Sequence, residues 1–263
     1  MLTQLLIGFV VASIIAPVSY RFGFLTRGGS WAQFVLGVVL LGIGGWKWTI
    51  PMLVFFLSSS LLSNLGRVKK EKVEALYAKS TRRDASQVAA NGLTAGVIVL
   101  LNTLFPSPVW FTAYLGAVAA VTADTWGTEI GTLFSISPRL ITTWETVERG
   151  RSGAISPFGT LAGMAGALVI WSSAVPWFQS GAVSVNLPAV LVGGILGTLA
   201  DSFLGATVQA QYECPSCGAI TERLIHCSTA TLKAHGLHVV TNDVVNGVCS
   251  VVGSIAAVLL CRC

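Results

Sequence analysis

Residues 109–134 read VWFTAYLGAVAAVTADTWGTEIGTLF. The fifteen residues before Asp124 carry no charge, and the run exceeds the ~20 residues that a helix needs to cross a hydrocarbon core about 30 Å thick. In lipid the backbone must satisfy its own hydrogen bonds, so such a run is read as a transmembrane helix. It then ends on Asp124 and Glu129, and ionisable groups within a membrane helix are costly enough to be functional candidates by default.

The rest of the chain has the same character. Of 263 residues, 53% are hydrophobic and only 10% charged, against roughly a quarter charged in soluble domains. Seven further apolar runs are long enough to span: Leu2–Tyr20, Ser30–Gly45, Trp48–Leu65, Val88–Phe105, Phe158–Phe178, Leu187–Gln209 and Val239–Leu260. The expected fold is therefore all-α, a polytopic bundle of about eight transmembrane helices (six to nine), forming one domain over residues 1–263. Ser30–Gly45 and Trp48–Leu65 are separated so narrowly that a re-entrant hairpin is the alternative. Leu2–Tyr20 has no basic segment before it and no A-x-A site after it, so it reads as a retained first helix.

Eight helices sort the loops into two sets. Fourteen basic residues fall in one: Arg21, Arg27, Arg67, Lys69, Lys70, Lys72, Lys79, Arg82, Arg83, Arg139, Arg149, Arg151, Arg223 and Lys233. Only Lys47 and Arg262 fall in the other. By the positive-inside rule the rich side is cytoplasmic and both termini face outward. The net charge of +5 is thus topogenic, and no nucleic-acid partner is expected. The sequence sets no oligomeric state.

Asp124, Glu129, Asp201 and Asp243 lie within apolar runs, towards the basic side, with Asn91, Asn242 and Asn246 at comparable depth. Interhelical hydrogen bonding would explain one such residue; seven at one level point to a site. Ala123-Asp124-Thr125-Trp126 is echoed by Ala200-Asp201-Ser202-Phe203, two hard oxygen donors of the kind Mg²⁺ binds together with phosphate oxygens. Asp124 and Glu129 stand about 140° apart on an ideal helix, so they share a face only if Gly127 or Gly131 distorts it. Gly150, Ser152, Gly153 and Ser156 make a turn entering a helix, which could direct N–H groups at an anion. The alternative is that Arg149 and Arg151 are topogenic and the glycines allow tight packing. No Walker A, dinucleotide-binding or protein-kinase motif occurs.

Cys214-Pro-Ser-Cys217-Gly is a metal-binding knuckle, followed by His226 and Cys227. Three thiolates and a histidine suit tetrahedral Zn²⁺; the alternative is a β-hairpin with free thiols. Residues 211–238 thus form a Cys/His loop on the cytoplasmic side, in which His235 and His238 are either further zinc ligands or neighbours of the site near Asn242. Cys249, Cys261 and Cys263 have no metal spacing.

Arg82-Arg83-Asp84 with Ala90-Asn91-Gly92, Thr122-Ala-Asp124-Thr-Trp-Gly-Thr-Glu129-Ile-Gly131, Ser156-Pro-Phe-Gly-Thr-Leu-Ala-Gly163, Asp201-Ser-Phe-Leu-Gly205-Ala-Thr207-Val-Gln209 and Asn242-Asp243-Val-Val-Asn246 resemble the transmembrane protein 19 family, also called domain of unknown function 92. That family includes a phytyl-phosphate kinase, which extends an isoprenoid monophosphate to the diphosphate for tocopherol and phylloquinone synthesis. It is also distantly similar to CTP-using polyprenol kinases and phosphatidate cytidylyltransferases. The Cys loop is similar to an insertion in some prokaryotic members.

The resemblance implies an integral-membrane, Mg²⁺-dependent kinase that moves a phosphoryl group from a nucleoside triphosphate (CTP or another) to a prenyl monophosphate. Asp124, Asp201, Glu129 and Asp243 would hold Mg²⁺. Asn91, Asn242 and Asn246 would orient phosphate or metal-bound water, and Arg82, Arg83, Arg151 and Ser156 would bind phosphate. A transporter of a small anion or lipid is the alternative. Its site would be expected near the midplane, whereas these acids are shifted to one side.

Overall fold

The computed structural model of the chain describes residues 2–65, 75–77, 82–134, 136–180 and 186–261. The basic residues Arg67, Lys69, Lys70, Lys72, Lys79 and Arg262, and Cys263, lie outside the described residues. Eight α-helices form among those described: α1 (Leu2–Arg21), α2 (Arg27–Gly37), α3 (Trp46–Asn64), α4 (Ala85–Leu104), α5 (Val109–Gly131), α6 (Pro157–Ala174), α7 (Leu187–Thr207) and α8 (Asn242–Leu260). Leu2–Arg21, Ala85–Leu104, Pro157–Phe178, Leu187–Thr207 and Asn242–Leu260 are long and apolar enough to cross a membrane by length and composition. Of the other three helices, α2 is the shortest, at 11 residues.

The opening stretch becomes the central helix. Phe111 to Ala123 are buried without interruption, and α5 packs against α3, α4, α6, α7 and α8. A helix apolar on all sides is buried on all sides, and its Ala, Gly and Thr residues let neighbouring backbones approach closely. Between α5 and α6 this closeness is extreme: a Cβ on Gly159 would stand 2.9 Å from the carbonyl oxygen of Gly127. Large apolar side chains of α1, among them Leu2, Leu6, Phe9, Val10 and Ile14, face outward instead, as a lipid-facing helix requires.

Helices α2 and α3 are joined at the end of the bundle opposite Arg83. α2 begins beside Arg83, whose carbonyl accepts from Thr26 N–H at 3.0 Å, and continues as a π-helical stretch from Val38 to Gly44. Gly45, at φ +87°, turns the chain, and Gln4 of α1 donates to the Leu41 carbonyl at 3.3 Å. α3 then starts at the far end, where Trp48 packs edge-on against Phe111 and Tyr114, and returns to place Ser63 against Glu129. The two elements therefore traverse the bundle in opposite directions.

Three helices that start at the Arg83 end carry side-chain caps. Thr26 Oγ1 accepts from Gly29 N–H, Ser156 Oγ accepts from Gly159 N–H, and Asp84 forms a reciprocal capping box with Gln87. Such caps satisfy N–H groups that a helix leaves orphaned. Three small β-sheets follow the helices at this end. A hairpin pairs β1 (Arg139–Leu140) with β2 (Ala154–Ile155). After α7, β3 (Gln211–Glu213) lies between β4 (Ile220–Thr221) and β7 (Leu232–His235) in an antiparallel sheet, and β5 (Ile225–His226) pairs with β6 (Thr229–Ala230).

Candidate functional site

One cavity of about 420 Å³ occupies this end of the bundle. It is lined by the C-terminal ends of α3, α5 and α7 and by the N-terminal ends of α4, α6 and α8, so successive helices run antiparallel. No residue of α5 before Asp124 reaches it. The opposite end is filled by Trp48, Phe111 and Tyr114, with the Tyr114 hydroxyl donating to the Trp48 carbonyl and Lys47 over the Trp48 ring.

The carboxylates converge here. Asp124, Glu129, Asp201 and Asp243 all line the cavity, as do Asn91, Asn242 and Asn246. Asp124 and Glu129 share it although α5 remains α-helical to Gly131, so the helix distortion expected for a shared face does not occur. The cavity wraps around the end of the central helix, and Thr125, Gly127, Thr128 and Thr132 line it too. The two half-sites differ in their aromatic residue. Trp126 Nε1 donates to Ser58 at 3.2 Å, while Phe203 faces outward.

The carboxylates are held differently. Asp124 Oδ1 accepts from Thr198 Oγ1 at 3.3 Å, and Glu129 Oε1 accepts from Ser63 at 2.5 Å. Asp201 Oδ2 and Asn91 Oδ1 are buried and have no hydrogen-bond partner among the described residues, and neither has Arg151 Nε. Buried polar atoms are normally paired. Two such oxygens and a guanidinium N–H line one cavity, and carboxylate and amide oxygens are hard donors while a guanidinium pairs with anions. Asp124, Asp201 and Asn91 are hard oxygen donors, the type that Mg²⁺ takes.

The basic residues separate. Arg83 and Arg151 line the cavity. Arg82 does not; it is exposed, donating to the carbonyls of Tyr20 and Leu25 at 3.4 Å, where it ties down the turn between α1 and α2. Arg149 lines the rim and donates to the Phe134 carbonyl. Ser156 lines the cavity but its oxygen caps α6. Gly159 serves close packing against α5 as well as lining the cavity. His235 and His238 lie outside the cavity; His238 Nδ1 pairs with the Tyr212 hydroxyl at 3.0 Å.

Among the lining residues that the sequence reading did not single out are Ser63, Gln87, Thr198 and Glu222. Glu222 sits between β4 and β5 in the Cys loop, and Gln209 Nε2 donates to it at 2.8 Å. Serine and threonine within helices, and one acid in a polar loop, carry no sequence signal that separates them from ordinary residues of those kinds.

A second, narrow cleft of about 80 Å³ lies between α1, α2, α3 and α4. Its wall is almost wholly apolar, with Ile15, Leu36, Leu40, Met52 and Phe55 among its residues. Arg83, Gln87 and Asn91 line both spaces, so Arg83 and the first turns of α4 border the polar cavity and the apolar cleft alike.

Cys214, Cys217, His226 and Cys227 also come together, each offering one ligand atom, all within 4.8 Å of one another. The hydrogen bond with His226, reinforced by neighbouring backbone N–H groups, lowers the Cys214 thiol to about 6, and the bond to Cys217 pushes Cys227 up to about 11.

These features define a helical integral-membrane protein with a carboxylate-, amide- and arginine-lined cavity at one end of its bundle. The family profile described as integral membrane protein DUF92 matches residues 10–254, and the chain belongs to that family. It is 35% identical to an uncharacterized membrane protein of Methanocaldococcus jannaschii over 205 residues, covering 78% of this chain and 83% of that protein. It is 28% identical to Protein PGR of Arabidopsis thaliana, covering 92% and 91%. It is 22% identical to Protein VTE6, chloroplastic, of Arabidopsis thaliana, covering 90% of this chain and 65% of that protein. No solved structure matches.

Proposed function

We propose that this protein transfers the γ-phosphoryl group of a nucleoside triphosphate to a prenyl monophosphate at the cytoplasmic face of a membrane. One observation carries the reading: the cavity that gathers Asp124, Asp201, Asn91, Arg83 and Arg151 shares Arg83 and, on α4, Gln87 and Asn91 with an apolar cleft. A substrate with an anionic head and an apolar tail meets both environments at once. The family resemblance, which extends to a phytyl-phosphate kinase, supports the same chemistry. The cytoplasmic assignment is supported by Arg83, Arg139, Arg149, Arg151, Arg223 and Lys233 on loops of the cavity end, against Lys47 at the other.

In this reading an oxygen of the acceptor phosphate attacks the γ-phosphorus. The bond to the β,γ-bridging oxygen breaks, leaving a prenyl diphosphate and a nucleoside diphosphate. The acceptor is already an anion, so no strong base is required, and catalysis is positioning and charge neutralisation. Asp124 and Asp201, with Asp243 and Glu129 beside them, would hold Mg²⁺, which neutralises phosphate oxygens. Arg83 and Arg151 bind phosphate, helped by the N-terminal ends of α4, α6 and α8, whose dipoles favour anions. Asn91, Asn242 and Asn246 orient the phosphates. Burial from water strengthens each of these interactions.

The test incubates purified protein with Mg²⁺, each labelled nucleoside triphosphate, and phytyl or geranylgeranyl phosphate. Formation of the labelled prenyl diphosphate, lost in Asp124→Asn, is expected. Absence of diphosphate with every combination overturns the reading.

A further inference from the structure

We propose that Cys214, Cys217, Cys227 and Nδ1 of His226 bind one Zn²⁺, and that this ion fixes the roof of the membrane cavity. This goes beyond the phosphotransfer reading and does not depend on it. Cys227 Sγ is 3.8 Å from Cys217 Sγ and 3.4 Å from His226 Nδ1, and Cys217 Sγ is 3.6 Å from the same nitrogen. A tetrahedral ion with Zn–S near 2.3 Å and Zn–N near 2.0–2.1 Å sets its ligands about 3.8 Å apart for two sulfurs and about 3.6 Å apart for sulfur and nitrogen. The three thiols are free cysteines, and their separations fit an ion between them rather than a sulfur–sulfur bond, which needs about 2.0 Å.

The backbone is turned to aim these atoms. Gly218 N–H donates to the Cys214 carbonyl at 2.8 Å, and Gly218 takes φ +70°, closing the first knuckle. In the β5–β6 hairpin Cys227 and Ser228 take φ +52° and +58°. Two positive angles in a two-residue turn are usually left to Asn and Gly. Here they swing the Cys227 thiol back over His226 to face Cys217. The strands of the segment are only two to four residues long, and small modules of this kind commonly rely on a staple.

The ion's two pairs of ligands bracket residues 218–225, and within that stretch Glu222 lines the cavity. Thr221 Oγ1 and Glu222 N–H donate to the Leu76 carbonyl at 2.6 and 2.9 Å, and Arg223 Nε donates to the Tyr77 carbonyl at 2.7 Å. Tyr77 and Glu222 both line the cavity. Below them Gln209 bridges Glu222 to Ser152, which donates to Gln209 Oε1 at 2.9 Å. Zinc binding thus sets the position of two cavity-lining residues without touching the cavity itself.

The experiment measures metal in full-length protein purified without chelator under reducing conditions. About one zinc per chain is expected, falling to near zero in Cys217→Ser and Cys227→Ser, whereas His226→Cys, which keeps four ligands, retains it. Protein stripped of zinc and given Co²⁺ should show the visible absorption of a tetrahedral thiolate site. Limited proteolysis should cut residues 214–227 faster once zinc is removed, and re-adding zinc should restore protection. Zinc below about a fifth of an equivalent with no tetrahedral Co²⁺ spectrum overturns the site. Unchanged proteolysis overturns the roof role. Neither readout involves phosphotransfer.

Discussion

Thr198 Oγ1 on α7 donates a hydrogen bond of 3.3 Å to Oδ1 of Asp124 on α5, while Asp201, three residues further along α7, keeps a buried Oδ2 without a partner among the described residues. Two acids of one cavity are thus treated in opposite ways, one anchored and the other left available.

Thr198→Val removes the anchor but keeps the shape. The prediction is a modest effect, a loss of about 1 kcal/mol in stability and a rise of several-fold, on the order of 3–10, in the Mg²⁺ concentration needed for half-maximal phosphotransfer. Thermal unfolding and a metal titration of activity check both. An unchanged Mg²⁺ requirement would separate Asp124 from the metal.

Asp201→Asn should abolish activity and leave the fold at least as stable. A buried carboxylate oxygen without a partner destabilises the protein, so neutralising it relieves a cost that function imposes. We expect phosphotransfer reduced by at least ~100-fold, with a melting temperature equal to or above that of the unaltered protein. A lower melting temperature would mean that Asp201 is a structural residue.

The adjacent arginines should behave differently. Arg83→Ala, in the cavity, is expected to raise the KM for the lipid phosphate by about tenfold or more, the scale of one charge-assisted contact. Arg82→Ala, on the α1–α2 turn, should leave KM within about twofold and lower stability by roughly 1 kcal/mol. Equal effects on KM would refute the division of roles.

Gly159→Ala places a methyl group against the Gly127 carbonyl. Forcing α6 away from α5 should cost about 1–3 kcal/mol and reduce activity too, because both helices line the cavity. Measured unfolding free energy with no change would show that the helices have slack at this crossing.

The resemblance between Ala123-Asp124-Thr125-Trp126 and Ala200-Asp201-Ser202-Phe203 was legible in the sequence, and the acids of both do line one cavity. The capping roles of Asp84 and Ser156 were not assigned there. Both belong to the motifs quoted above, and a cap and a ligand have the same composition until the helix start is fixed. Arg82 and Arg83 are equally indistinguishable as a pair of letters; half a turn of backbone decides which one faces inward.

The sequence alone determined that the chain is a membrane bundle of alternating helices and that its acids and asparagines lie at one depth. Depth is a one-dimensional quantity, and the lengths of apolar runs and the charges of loops carry it directly. Only the tertiary structure decided which side chains meet. α5 is enclosed because its small residues admit five neighbours, so Asp124 and Glu129 share a cavity without any distortion of their helix. The Cys loop folds over that cavity through hydrogen bonds from Thr221, Glu222 and Arg223 to residues about 145 positions away. Azimuth and long-range docking depend on which surfaces fit together at close packing, and no local pattern of residues contains that information.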